Sequence, residues 1–192
     1  MLEKYYAYFK KQEWLKAQKI LLSLEKLSEE KDFWLYTSLS SVTYELRNYK
    51  RALEYSKIAY LLNPDSPLVL WDYANALYVS DEKNRAIHLW QHILNIPEEV
   101  IAFELTTEGT LWARQLRNDC TYRIADAYYY LGDDKLALEY ALSHLGARKK
   151  GQFSLYSKKE VLSLLKKIEE GLAEDALNNS LDDSTGPASS GY

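Results

Sequence analysis

Small residues recur in this chain at one fixed interval. Ala52, in NYKRALEYSKIAYLLNP, and Ala86, in KNRAIHLWQHILNIP, lie 34 residues apart, as do Ala59 and Ile93. Pro64 and Pro97 close the two segments 33 apart. Ala17 precedes Ala52 by 35 residues, and Ala137 follows Ala86 by 51, one interval plus 17. A sequence that repeats on this length is built from one supersecondary unit used several times, each burying its apolar face against the next.

That unit is helical. None of the seven glycines comes before Gly109, and the four prolines are Pro64, Pro67, Pro97 and Pro187. More than a hundred residues with so few breakers and no sustained period-two alternation read as helix after helix. Expected caps fall where the interval needs them: Asp32 before FWLYTSL, Ser66 with Pro67 before the next helix, and Ser80 or Asp81 before the one after. Small residues on facing helices (Ser40, Ala74 and Ala125; Ala52, Ala86 and Ala137) let the backbones approach closely.

In 33–66 the pattern reads Tyr36, Leu39, Ser40, Thr43, then Ala52, Ser56, Pro64; in 67–100 it reads Leu70, Tyr73, Ala74, Leu77, then Ala86, Trp90, Pro97. In 118–145 it reads Thr121, Ile124, Ala125, Tyr128, then Ala137 and Ala141, with Gly132 in the turn. This order resembles the tetratricopeptide repeat family over roughly residues 1–147, although the first turns lack the glycine the family often carries there. The resemblance implies an all-α, right-handed superhelical array of antiparallel helix pairs. Its repeats are expected at about 1–32, 33–66, 67–100 and 118–147, with an insertion at 98–117. That insertion reads as a connector through Gly109, then an apolar-faced extension (Leu111, Trp112, Leu116) into the next helix.

Past Gly151, Ser157-Lys-Lys-Glu160 is a capping box, with Tyr156 and Val161 placed as a hydrophobic staple. Val161, Leu162, Leu164, Leu165, Ile168 and Leu172 form one apolar stripe, so a capping helix is expected over 157–172. Residues 173–192 lack aliphatic density, carry Glu174, Asp175, Asp182 and Asp183 with no basic residue, and are expected to be a disordered acidic tail.

Composition excludes several function classes. Net charge is −4, and without the tail the chain holds 24 basic and 24 acidic residues, which attracts neither nucleic acid nor anionic membrane. Cys120 stands alone, so no intramolecular disulfide forms, and no signal-like or membrane-length apolar run is present; a cytoplasmic location is the expectation. His88 and His92 have a ligand-like spacing, but the third histidine, His144, falls in another repeat, so no metal site is expected. No glycine-rich phosphate loop is present, and Cys120 reads as buried packing. No catalytic residue and no cofactor follow.

Function is expected from the surface that the resemblance implies, the concave groove lined by the first helix of each pair. Carried onto this chain, the groove residues are Trp34 and Tyr44; Trp71, Asn75 and Tyr78; and Tyr122, Asp126 and Tyr129, with Thr37, Ser41, Leu68 and Asp119 between them. Tyrosine and tryptophan supply rigid contact area with a polar handle, as binding hot spots do. The implied role is a protein-protein interaction module, adaptor or chaperone-like, holding a segment of another protein or peptide. The alternative is a structural subunit or homo-oligomer using the same aromatics on a second copy. The Lys, Asn and Arg set with which some family members grip a terminal carboxylate is missing, apart from Asn75. The basic cluster from Arg148 to Lys167 reads as a solvated helix surface complementing a helix C-terminus, the alternative being a dock for an acidic partner or for the chain's own acidic tail.

Overall fold

The computed structural model describes residues 1–104 and 109–184. Among them ten helices follow one another without a strand. They are α1 (Leu2–Lys10), α2 (Trp14–Leu27), α3 (Phe33–Glu45), α4 (Tyr49–Leu62), α5 (Pro67–Val79), α6 (Lys83–Asn95), α7 (Glu98–Glu104), α8 (Gly109–Leu131), α9 (Asp134–Lys149) and α10 (Lys158–Ser184). The chain divides into two compact units, Met1–Ala113 and Arg114–Tyr192, the division falling within α8.

In the first unit the pairs α1/α2, α3/α4 and α5/α6 pack in series, α2 on α3 and α4 on α5. Ala17, Ala52, Ala74 and Ala86 are fully buried where the interval puts them. Ser40, equally enclosed, donates its hydroxyl to the Ala52 carbonyl at 3.0 Å, so the small residue both admits the neighbouring helix and bonds to it. Leu21, Leu39, Val42 and Val69 fill the space beside the alanines.

Each pair turns by the same device. Gln12, Arg47, Asp81 and Gly132 have φ of 57°, 59°, 66° and 78°, the left-handed region. After each, an amide reaches back to the preceding helix: Glu13 to Tyr8, Asn48 to Thr43, Glu82 to Leu77 and Asp133 to Tyr128, at 2.9–3.1 Å. This is the Schellman pattern, which satisfies carbonyls a helix end otherwise leaves open.

The caps mostly match the sequence. Asp32 accepts from the Trp34 amide at 3.1 Å, and Ser66 accepts from Val69 with Pro67 in the first turn. The third is corrected: Ser80 is the C-cap of α5, Asp81 makes the left-handed turn, and Glu82 is the N-cap of α6 without a side-chain cap bond. Asp81 cannot both take positive φ and present its carboxylate as a cap.

Two segment readings change as well. The connector expected after residue 98 is helical through Glu104, with Glu98 and Glu99 favouring the positive end of α7 and Ile101 fully buried. The capping helix does not stop at Leu172. It continues to Ser184, through part of the stretch expected to be disordered, and 185–192 lie outside the described residues. The reason is local: Ala173, Glu174, Ala176 and Leu177 favour helix, and no proline or glycine interrupts until Gly186.

The second unit packs α9 and α10 with the rest of α8 around Ala125, Ala137, Ala141, Val161 and Ile168. The capping box forms as the sequence implies. The Glu160 amide donates to Ser157 Oγ at 3.2 Å, and the Ser157 amide donates to Glu160 Oε2 at 2.7 Å. No helix among the described residues is long and apolar enough to cross a membrane.

A candidate polypeptide-binding cleft

A strap of chain, 152–157, connects α9 to α10, and two polar residues of α8 hold it. Asn118 donates its side-chain amide to the Phe153 carbonyl at 3.1 Å. Asp119 accepts from the Ser154 hydroxyl at 2.6 Å and from the Leu155 amide at 3.1 Å. Arg148 donates to the Tyr156 carbonyl at 2.7 Å. Below lies His144, fully buried, its Nδ1 2.8 Å from the Asn118 carbonyl oxygen and thus the donor. Burial lowers the His144 pKa, so the ring is held neutral. Burial also pushes the Asp119 carboxyl up to about 6, against the Ser154 and Leu155 bonds. Asp119 was expected to face a groove, but its carboxylate is fully engaged in securing the strap.

The strap sets Tyr156 against Tyr122, ring centroids 4.1 Å apart with planes at 29°. Tyr122 is only 9% exposed, and burial, with the Asp126 and Glu160 carboxylates adding to it, pushes its phenol up to about 12. The ring thus forms one wall of a cleft between α8 and α10 of about 490 Å³. Asp126, Tyr129 and Tyr130 continue that wall one and two turns on. Lys159, Glu160, Ser163, Leu164 and Lys167 form the facing wall on α10.

The cleft's charges are not equally available. Asp126 Oδ2 lies 4.0 Å from Arg123 Nη1, both side chains largely covered. Glu160 is turned back on the start of its own helix, and those hydrogen bonds lower its pKa. Lys159 and Lys167 are exposed and make no ion pair among the described residues.

Of the eight residues expected to line a groove, the structure gathers Tyr122, Asp126 and Tyr129 in this one cleft. The other five belong to the first unit and are all half-buried. Trp34 meets Tyr5 edge-on at 5.7 Å and lies tilted against Tyr6 at 6.2 Å, and Tyr44 packs on Tyr49 at 5.2 Å. Tyr78 lies 5.8 Å from Trp90, with the Lys83 amine over its ring. Trp71 and Asn75 stand one turn apart on α5. Between them is Asp72, which sequence reasoning passed over; burial, then the charge of Glu45, pushes its carboxyl up to about 8.

A smaller cavity of about 230 Å³ lies beside Tyr60, Tyr73, Arg85 and His88, where Arg85 donates to the Tyr73 hydroxyl at 2.9 Å. His88 engages the Asn84 carbonyl, and His92 is exposed. Among the described residues no three His, Cys, Asp or Glu side chains gather as a metal site would require. Cys120 is fully buried, and burial raises its pKa well above that of a free thiol.

The same helical architecture occurs in solved structures. The crystal structure of MamA superimposes with a TM-score of 0.56 at 16% identity, over 88% of this chain and 95% of that one. The apo form of RapI superimposes with a TM-score of 0.67 at 19% identity, over 93% of this chain and 64% of that one. This chain has the tetratricopeptide-repeat fold. It spans less than two thirds of the RapI chain, and at these identities the likeness is one of fold. No family model and no curated protein sequence matches. Within the tetratricopeptide framework, α3, α5 and α8 are the first helices of their pairs, and α10 caps the last.

Proposed function

We propose that this chain is a protein-interaction module that holds a segment of a partner polypeptide in the cleft between α8 and α10. The observation that carries this is the cleft itself. Three tyrosines and two ammonium groups without an ion pair among the described residues line about 490 Å³ of open space, and its acidic groups are engaged within the fold. Aromatic rings beside polar handles are what binding hot spots are made of. The tetratricopeptide fold supports the reading, since such arrays present helix faces to other proteins. Neither an adaptor nor a chaperone-like role is separated from the other by this geometry.

The test immobilises the full chain beside its Tyr129→Ala variant, whose ring is half-buried at the cleft and packs at the margin of the core in which Tyr122 is buried. Proteins retained by the first and lost from the second, with unchanged melting, support the reading. Retention by both moves the site off the cleft. Light scattering on the chain alone decides the alternative: an oligomer that Tyr129→Ala dissociates makes a second copy the occupant.

A further inference from the structure

The two walls of the α8/α10 cleft differ in kind, and that difference specifies the occupant. On α10, Lys159, Ser163 and Lys167 recur every fourth residue, so the two ammonium groups stand on one face about 12 Å apart along the helix axis. Across from them Tyr122, Tyr129 and Tyr130 present ring surface, Tyr130 being 60% exposed. One wall is therefore cationic and the other aromatic.

The spacing of the two lysines points to an extended occupant. An extended strand rises about 3.3 Å per residue and points alternate side chains to one side, so residues i and i+4 share a face about 13 Å apart. That matches the separation of the two lysines.

We propose that the cleft takes an extended acidic segment with carboxylates at i and i+4 against Lys159 and Lys167, and apolar or aromatic side chains at i+1 and i+3 against the tyrosines. Residue i+2 faces Ser163, where a small polar side chain fits. Lysine reads charge as a point and not as a fixed fork, so aspartate and glutamate serve equally. The inference rests on the cleft being the binding site, and it adds the charge, spacing and conformation of what binds.

The experiment selects a phage-displayed library of random nine-residue peptides on the immobilised full chain, then measures a synthetic copy of the enriched sequence by fluorescence anisotropy. The expected result is enrichment of acidic residues four apart. That peptide should bind at least tenfold more weakly to the Lys159→Glu/Lys167→Glu variant, whose exposed positions leave melting unchanged. It should also weaken in high salt, as exposed charge pairs do. Enriched peptides without an acidic pair, lost with Tyr129→Ala but indifferent to the lysine reversal, overturn the acidic occupant and leave the cleft standing. Enriched acidic peptides indifferent to the reversal overturn the placement. No enrichment over a blank surface overturns both the occupant and the cleft.

Discussion

Arg47 and Asp81, 34 residues apart, hold the same left-handed backbone, φ 59° and 66°, each at the turn between the two helices of a pair. Neither is glycine, and an ordinary side chain in that conformation costs about 1–2 kcal/mol. The conformation persists because the amides that follow, Asn48 and Glu82, close onto Thr43 and Leu77.

Arg47→Gly should therefore stabilise the protein by about 0.5–1 kcal/mol, the relief of strain exceeding the extra chain entropy of glycine. The Arg47 guanidinium contributes only a 3.3 Å exposed contact to the Tyr49 hydroxyl, so little is lost. Asp81→Gly should gain less, since aspartate tolerates this region and here pairs with Lys83. Urea unfolding of the two variants checks the order; equal gains would mean side-chain type is immaterial at these turns.

The second prediction separates two tyrosines of one cleft. Tyr122→Ala should cost about 3 kcal/mol or more of stability, because it removes a buried ring and its stack on Tyr156. Tyr129→Ala should cost about 1 kcal/mol or less while abolishing peptide capture. Similar losses of stability in both would place Tyr129 in the core.

These outcomes show what the sequence made legible. The 34-residue recurrence of alanine and serine located the helix pairs because close helix contact excludes larger side chains, a constraint written residue by residue. The left-handed turns were hidden, since Gln12, Arg47 and Asp81 carry no compositional mark of positive φ. Tyr122, Asp126 and Tyr129 share the register of a first helix, which is why the sequence groups them and why they line one wall of the cleft. For Lys159 and Lys167 the sequence leaves solvated surface and an acidic dock both open, because nothing local shows which face of α10 meets α8. Asn118, Asp119 and His144 were missed as a set, their partners lying 26–36 residues away in the chain. In the sequence Asn118 and Asp119 follow Arg114, Gln115 and Arg117 on a helix of mixed polarity, so nothing local marks them as buried.

Trp90 and Trp71 test the assignment of faces in the first unit. Trp90 is fully buried, and Trp90→Ala should cost about 3–5 kcal/mol. Trp71 is half-buried on α5, and its replacement should cost less than half as much. Equal shifts in urea midpoint would make Trp71 part of the core and remove it from any binding surface.

The last prediction concerns the strap. An unfolded aspartate titrates near 3.9, whereas burial raises Asp119 to about 6, so between these values the folded state binds more protons than the unfolded. Stability from this group is therefore present below about pH 4 and lost as pH rises to about 6, on the order of 3 kcal/mol in all. His144 acts with the opposite sign. Its pKa is lowered, so its contribution is present above the unfolded value of about 6.5 and is lost as pH falls below it. The two slopes have opposite signs in the wild type. Asp119→Asn keeps an acceptor for the Leu155 amide and removes the ionisation. The melting difference between variant and wild type should then grow in favour of the variant from pH 4 to pH 6 and stay level above. At ~2–4 °C per kcal/mol for a chain of this length, the change is about 6–12 °C. What remains in the variant is the His144 slope, so its stability should fall as pH drops below about 6.5. A melting difference constant from pH 4 to 7.5 would mean that the Asp119 proton plays no part in holding the strap.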